Sequence, residues 1–263
     1  MENNIDNKQN KNRKLNIYLT LIFYAAIMLF VGAIIIYISV FLASNINDLD
    51  NEFMLKAVTD ESTLIKGTKE YDVFYTTYAI GQGFTYLLLF IVCIIFMRSF
   101  LKEDFEKTKE KYLFYIIYII VSIAVFLLTT ILVSTIVGKF VGDSENQALV
   151  ERLIESDGKF AMIIATVIFA PICEELVFRK AVFELTKKFH KVVPYVISIS
   201  TFTLIHMVSS DISNFGDWVL MAIPYFVSAS LFCVIYDMSK QNIYTSISAH
   251  VANNLLAAIL IFV

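Results

Sequence analysis

Long apolar runs alternate along the chain with short polar segments that carry most of the charges. A helix needs roughly 20 predominantly apolar residues to cross a bilayer. Runs near that length are expected to form spans at residues 17–43, 73–97, 112–138, 160–185, 192–210, 218–236 and 242–263. Because a spanning segment must satisfy its own backbone hydrogen bonds, the pattern predicts an all-α, polytopic membrane protein with about seven transmembrane helices.

Composition agrees with this class and argues against others. Of the 263 residues, 58% are hydrophobic, whereas an average soluble domain has about 45–50%. The formal net charge of -3 gives no basis for nucleic-acid binding. Cys93, Cys173 and Cys233 are widely spaced within apolar segments. Such a set indicates neither a disulfide framework nor a zinc site.

Basic residues are distributed unevenly between the two sides of the predicted bundle. One side holds 15 of the 21 Lys and Arg, and the other side holds 6. Cytosolic loops of membrane proteins carry the excess of basic residues. We therefore expect a cytosolic N-terminus, an external C-terminus, and external acidic loops at residues 44–72 and 139–159.

Three regions follow from this pattern. Residues 1–14 are polar, rich in Asn and Lys, and expected to be a disordered cytosolic segment. Residues 15–158 hold the first three spans, which show no polar motif, and we assign them a scaffolding or substrate-gating role. Residues 159–263 hold the last four spans and the candidate chemistry.

The fourth predicted span carries ionisable side chains at the expected depth of the membrane interior. Glu174, Glu175 and Arg179 follow Pro171 in a segment that is otherwise mostly apolar. Charged groups at this depth cost roughly 2.5–3.5 kcal/mol each to insert and are usually functional. Glu175 and Arg179 are four residues apart and can pair on one helix face, which would also suit a purely structural role. Glu174 is rotated about 100° from Glu175 and can point elsewhere.

Two histidines and an asparagine lie in neighbouring spans. Phe202 and His206 are four residues apart in the fifth span, as are His250 and Asn254 in the seventh. A single intramembrane histidine is commonly a hydrogen-bonding residue between helices. Together with Glu174, however, the set suits hydrolysis of a peptide bond. A shielded carboxylate accepts a proton from water, and neutral imidazoles and a carboxamide donate to the oxyanion that develops.

These residues form three short motifs, each in its own span, that resemble the diagnostic motifs of a known family. This is the CAAX-protease and bacteriocin-processing (CPBP, formerly Abi) family, which includes the type II CAAX prenyl endopeptidases. The motifs are Glu174-Glu175-x-x-x-Arg179, Phe202-x-x-x-His206 and His250-x-x-x-Asn254. Lys180 departs from many bacterial relatives, which have glycine at that position.

The resemblance covers residues 160–263 and implies a CPBP-like catalytic core of an all-helical intramembrane endopeptidase. It implies that Glu174 is the base that activates water and that the other motif side chains complete or support the site. The implied catalytic residues are Glu174, Glu175, Arg179, His206, His250 and Asn254.

The role of a metal is open at the level of sequence. Glu174, His206 and His250 could form a His₂Glu zinc site. There is, however, no His-Glu-x-x-His helix, which would present two ligands from one face. Asn254 is a poor zinc ligand but a good donor to an oxyanion. We expect metal-independent glutamate chemistry without a cofactor, and a divalent metal such as zinc is the alternative.

The expected function is cleavage of a peptide or a membrane-anchored protein near the cytosolic face of a bacterial cell membrane. A prenylated CAAX tail, a bacteriocin or pheromone precursor, and the anchor of a sensor all fit as substrates. One alternative is a catalytically silent scaffold or bacteriocin-immunity protein of the same fold, against which the intact motifs argue. The other is a proton-coupled transporter, which would be expected to show repeated segments. The expected partners are this substrate and the lipid bilayer, and the sequence predicts no oligomeric state.

Overall fold

The computed structural model describes residues 2–208, 210 and 212–262, with side chains from Lys11 onward. Over these residues the chain forms helices and no strand. The α-helices are α1 (Glu2–Ala26), α2 (Gly32–Ile46), α3 (Asn51–Ala57), α4 (Lys69–Glu110), α5 (Tyr112–Val137), α6 (Glu145–Glu155), α7 (Lys159–Ile164), α8 (Ala170–Glu174), α9 (Val182–Thr186), α10 (Val192–Met207), α11 (Phe215–Met238) and α12 (Ile243–Leu260). Wider π-helical turns join α1 to α2, α7 to α8 and α8 to α9.

Six helical segments of the described chain are long and apolar enough to cross a membrane. They are Lys11–Ile46, Lys69–Glu110, Tyr112–Val137, Lys159–Thr186, Phe215–Met238 and Ile243–Leu260. The fifth predicted span corresponds to α10, which has 16 residues and a length of about 24 Å. The prediction of an all-α, polytopic membrane protein is therefore confirmed, with one of its seven apolar helices shorter than the others.

The fourth span lies at the centre of the bundle. Over its most apolar window 56% of the residues are buried, compared with 11% for α5 at the periphery. Large apolar side chains such as Leu128 and Phe30 are exposed on the outer helix faces. An apolar outer surface is expected where lipid is the solvent. The charged side chains of the fourth span are buried within the protein and do not face this surface.

The N-terminal segment differs from the expected disorder of residues 1–14, because α1 begins at Glu2. The Nη2 atom of Arg13 lies 2.7 Å from Glu103 Oε2 on α4. The guanidinium of Arg13 also lies 4.2 Å from the centroid of the Phe100 ring. These contacts with α4 stabilise a polar extension of the first span, which a composition argument does not detect.

The predicted external loops contain two short helices. In the first loop, α3 begins after Asp50, whose side chain accepts a hydrogen bond from the N–H of Phe53. In the second, α6 begins after Ser144, whose hydroxyl accepts from the N–H of Gln147. Such side-chain caps satisfy the free N–H groups of a first helical turn. The helix α6 buries Leu153 and so packs against the bundle.

Lys180 is buried inside the bundle and is not an exposed charge at the end of the span. Its Nζ atom donates to Asp104 Oδ2 at 2.6 Å and to the carbonyl of Gln241 at 3.2 Å. The same carboxylate oxygen accepts from the N–H of Ile243 at the start of α12. A buried ion pair persists when further hydrogen bonds satisfy it. This cluster joins α4, the fourth span and α12, and it fixes the helix that carries His250.

Burial of Arg179 and Lys180 changes the charge count that was used to predict orientation. Both side chains are inside the protein, with relative exposures of 0% and 3%. Without them, 13 basic residues face 6 on the opposite side. The asymmetry that predicts a cytosolic N-terminus therefore persists.

Candidate active site

The fourth span is interrupted by π-helical turns on both sides of Glu174. One turn covers Ala165–Phe169 and the other covers Glu175–Ala181, with α8 between them. Pro171 has no N–H to donate to the preceding turn. A wider turn, Ala165–Phe169, lies just before this proline. Such π-helical insertions are frequent at functional sites, and here they set the directions of adjacent carboxylates.

Glu174 faces two imidazoles from different helices. Its Oε2 atom lies 3.7 Å from Nε2 of His250 on α12 and 4.0 Å from Nε2 of His206 on α10. Glu174 and His250 are almost completely buried, whereas the His206 side chain retains 18% of its exposure. Three of the predicted site residues therefore meet around one point.

Hydrogen bonds to the other ring nitrogen orient both imidazoles. Nδ1 of His250 lies 3.0 Å from Glu175 Oε1, and Nδ1 of His206 lies 2.8 Å from the carbonyl oxygen of Phe202. Carbonyl and carboxylate oxygens accept, so each Nδ1 carries a proton. In the neutral imidazole, Nε2 is then an acceptor directed at Glu174.

This tautomer alters the chemistry expected from the sequence. Neutral imidazoles with Nδ1 protonated accept a hydrogen bond through Nε2 and cannot donate one to an oxyanion there. One of them can accept a hydrogen bond from a water molecule whose other hydrogen is directed at Glu174. They become oxyanion donors only after Nε2 has also received a proton.

Glu175 and Arg179 form the ion pair that their spacing predicts. Nη1 of Arg179 lies 3.2 Å from Glu175 Oε1, and both side chains have zero exposure. The guanidinium also lies 4.6 Å from the Phe202 ring centroid and 4.9 Å from that of Phe232. Since Glu175 Oε1 also accepts from His250, the pair positions one of the two imidazoles that face Glu174.

Asn254 is held by hydrogen bonds to the fourth span and to its own helix, and one of its N–H donors remains free of them. Its Nδ2 donates to the carbonyl of Thr166 at 2.8 Å, and its Oδ1 accepts from Nδ2 of Asn253 at 3.2 Å. A carboxamide has two N–H donors. The second one remains for a ligand in the cavity that Asn254 lines.

A cavity of about 560 Å³ leads to this cluster, and Glu174, His206, His250 and Asn254 all line it. Its other lining residues lie within 82–86 of α4, 130–137 of α5, 144–154 at α6, 162–170 of the fourth span, 202 of α10, 221–232 of α11 and 253–260 of α12. It reaches the exposed residues Gly138, Gly142 and Asp143 between α5 and α6.

The direction of the cavity conflicts with one of two expectations. It opens at the end of the bundle that carries the 139–159 segment, which the basic residues assign to the external side. A site near the cytosolic face and an external 139–159 segment therefore cannot both hold. The conflict was not visible in the sequence, because Glu174 is near the middle of its span and either end could be open.

Tyr225 on α11 is a site residue that sequence reasoning missed. Its ring stacks on His206 with centroids 4.9 Å apart, opposite the Phe202 ring at 4.4 Å. Its hydroxyl lies 2.7 Å from Oγ of Ser144 at the start of α6. Tyr225 and Phe202 thus hold the imidazole of His206 between their rings, and Tyr225 links it to the start of α6. The only signal was a phenol within an apolar span, which is also common at membrane interfaces.

The separations around Glu174 bear on whether these side chains could hold a metal. Both imidazoles are oriented through Nδ1 as metal-bound histidines usually are. Ligands around tetrahedral zinc lie about 3.3 Å apart, given metal–ligand distances of about 2.0 Å. The separations of 3.7 and 4.0 Å are wider than this. Among the described residues no group of three His, Cys, Asp or Glu side chains is close enough to hold an ion.

Comparisons with known proteins bear on the segment that carries these motifs. Residues 156–256 match the family model described as type II CAAX prenyl endopeptidase Rce1-like. The chain is also 33% identical over 99 residues to an uncharacterized protein of Mycoplasma capricolum subsp. capricolum. That match covers 38% of this chain and 27% of the other protein's length. No solved structure matches the chain. The CPBP resemblance of the motifs is therefore confirmed as a family relation: residues 156–256 are related to the type II CAAX prenyl endopeptidases.

Proposed function

We propose that this multi-pass membrane protein is an intramembrane endopeptidase of the CAAX type, in which Glu174 activates the attacking water. The observation that carries the proposal is the meeting of Glu174 Oε2 with Nε2 of His206 and of His250 at the inner end of a cavity. The relation of residues 156–256 to the type II CAAX prenyl endopeptidases supports it. The second ring nitrogens of both histidines are already engaged, so the Nε2 atoms are free to act on a ligand.

In the proposed reaction a water molecule lies between Glu174 and the imidazoles, with one hydrogen directed at Glu174 and the other at the Nε2 atom of one histidine. Glu174 accepts one of its protons while the water oxygen forms a bond to the carbonyl carbon of the peptide. The carbonyl oxygen becomes an oxyanion, which accepts from the free N–H of Asn254. Glu174 then delivers its proton to the amide nitrogen, and the carbon–nitrogen bond breaks.

The proposal is tested by terminal proteomics of membranes that carry the wild type or Glu174→Gln. New N-termini of membrane or exported peptides that appear with the wild type alone are the expected result. Identical terminal profiles, with both proteins present in equal amounts, would contradict an endopeptidase and favour a scaffold of the same fold.

We further propose that the reaction needs no metal, since the carboxylate–imidazole separations exceed those around zinc. Purified protein dialysed against a strong chelator is expected to retain cleavage activity. Residual metal is measured in the wild type, in His206→Gln, and in His190→Gln as the control, because His190 is exposed outside the cavity. Activity that vanishes on chelation and returns with stoichiometric zinc, with metal lost from His206→Gln alone, would assign the histidines as ligands.

Orientation follows from the basic residues, and we propose a cytosolic N-terminus, an external C-terminus and a cavity that opens outside. Reporters of cytosolic or external location, fused after Asp143 and after Lys188, are expected to give opposite signals, external for Asp143 and cytosolic for Lys188. The same compartment for both would contradict the topology. The reverse assignment would place the cavity mouth in the cytosol.

A further inference from the structure

The wider turn before Pro171 makes the carbonyl of Thr166 available to a side chain. In this turn the N–H of Ala170 donates to the carbonyl of Ala165, one residue further back than in an α-helix. The following N–H would reach Thr166 in the same register, but the following residue is Pro171, which has none. The carbonyl of Thr166 accepts instead from Nδ2 of Asn254 on α12, at 2.8 Å.

This carbonyl sets the direction of a chain of side-chain hydrogen bonds. Because a carbonyl only accepts, the NH₂ group of Asn254 faces Thr166, and Oδ1 is the other end of its carboxamide. That Oδ1 lies 3.2 Å from Nδ2 of Asn253, which donates to it. Oδ1 of Asn253 lies 3.3 Å from the hydroxyl of Thr130 on α5, which donates in turn. The chain therefore connects the fourth span, α12 and α5, and each donor is fixed by the one before it.

The chain fixes the plane of the Asn254 carboxamide inside the cavity. Thr130, Asn253 and Asn254 all line the cavity that Glu174 also lines. With both its nitrogen and its oxygen bonded, the Asn254 carboxamide holds its second N–H in one direction. Without Asn253, only the bond to Thr166 remains, and the carboxamide can turn about it. A donor stabilises an oxyanion only when it is already directed at the place where the charge develops.

We infer that, provided the proposed endopeptidase function holds, Asn253 and Thr130 are positioning residues that act through Asn254. Neither residue is assigned a contact with the reacting atoms. The oxyanion that accepts from Asn254 develops only in the transition state, so loss of this positioning should lower kcat and leave KM unchanged. Asn253 and Thr130 lie outside the three sequence motifs, and only the packing of α5 against α12 brings them together.

The experiment uses the full chain in lipid nanodiscs and the peptide that the wild type cuts fastest in a randomised decapeptide library. Asn253→Leu keeps a similar side-chain size and removes both hydrogen bonds of the carboxamide. It is expected to lower kcat by about fivefold, the equivalent of one hydrogen bond, with KM unchanged. In an Asn254→Ala background the same substitution should cause no further loss, because two changes that act through one group are not additive.

Thr130→Val tests the far end of the chain, with Thr129→Val as its matched control. The Thr130 hydroxyl also lies 3.1 Å from the carbonyl of Phe126, so it is shared, and kcat is expected to fall by only about twofold to threefold. The Thr129 hydroxyl donates to the carbonyl of Val125 on its own helix, and Thr129 does not line the cavity. Thr129→Val should therefore match the wild type.

Wild-type kcat in Asn253→Leu, or the same loss with and without Asn254, would overturn the inference and leave the proposed function standing. If Asn253→Leu does not insert into the membrane, the two threonine variants decide, and equal kcat values for them would overturn the inference. If the wild type cuts no peptide above the Glu174→Gln background, the proposed function fails and the inference fails with it.

Discussion

Glu174→Gln is expected to lower peptide-bond cleavage by at least about 100-fold while leaving the protein folded in the membrane. The substitution keeps the shape of the side chain but removes the group that accepts a proton, and general-base catalysis alone contributes about 10²–10⁴-fold. The measurement is single-turnover cleavage of a peptide that the wild type cuts, with purified variants in nanodiscs. Insertion is verified by protease protection in the cell membranes from which each variant is purified.

Glu184→Gln is the matched control for this result. Glu184 lies on α9 of the same span, and its carboxylate pairs with Lys187, away from the cavity. The same chemical change there should leave cleavage within about twofold of wild type, because exposed pairs contribute little. Equal activity of both variants would remove Glu174 from the reaction and contradict the assignment of the base.

The membrane class and most of the site follow from local features of the sequence. Uninterrupted apolar length predicts the spans, because bilayer thickness sets the length of a crossing helix. Spacing by four residues predicts that Glu175 pairs with Arg179, and the pair is present. The same spacing puts Phe202 against His206, with ring centroids 4.4 Å apart.

Features that depend on contacts between distant segments were not predictable in this way. The tautomer of His250 is set by Glu175, 75 residues away in sequence. Lys180 looks like a cytosolic charge until Asp104 is found beside it. Tyr225 reaches His206 only because α10 and α11 pack together. The end of the bundle at which the cavity opens depends on where α6 packs.

Arg179→Met is expected to be the most destabilising of the site substitutions. It leaves the carboxylate of Glu175 buried without its cation, and breaking a buried ion pair in this way costs about 3–5 kcal/mol. By contrast, Glu175→Gln/Arg179→Met removes both charges and should recover a large part of that loss. The amide oxygen of the glutamine can still accept from Nδ1 of His250, so the double variant also keeps part of the imidazole orientation.

Unfolding of the single, double and wild-type proteins in detergent can be followed by the fluorescence of Trp218, the one tryptophan in the chain. We expect the midpoint of Arg179→Met to fall by on the order of 10 °C. Arg13→Met provides the control, because its pair with Glu103 is partly exposed and surface pairs contribute about 0–1 kcal/mol. If Arg179→Met unfolds at the wild-type temperature, or if the double variant is no more stable than it, the buried pair is not what holds Glu175 and His250 in place. If the double variant fails to recover while Arg179→Met is destabilised, the loss traces to the contacts of the guanidinium with Phe202 and Phe232, which both variants lack.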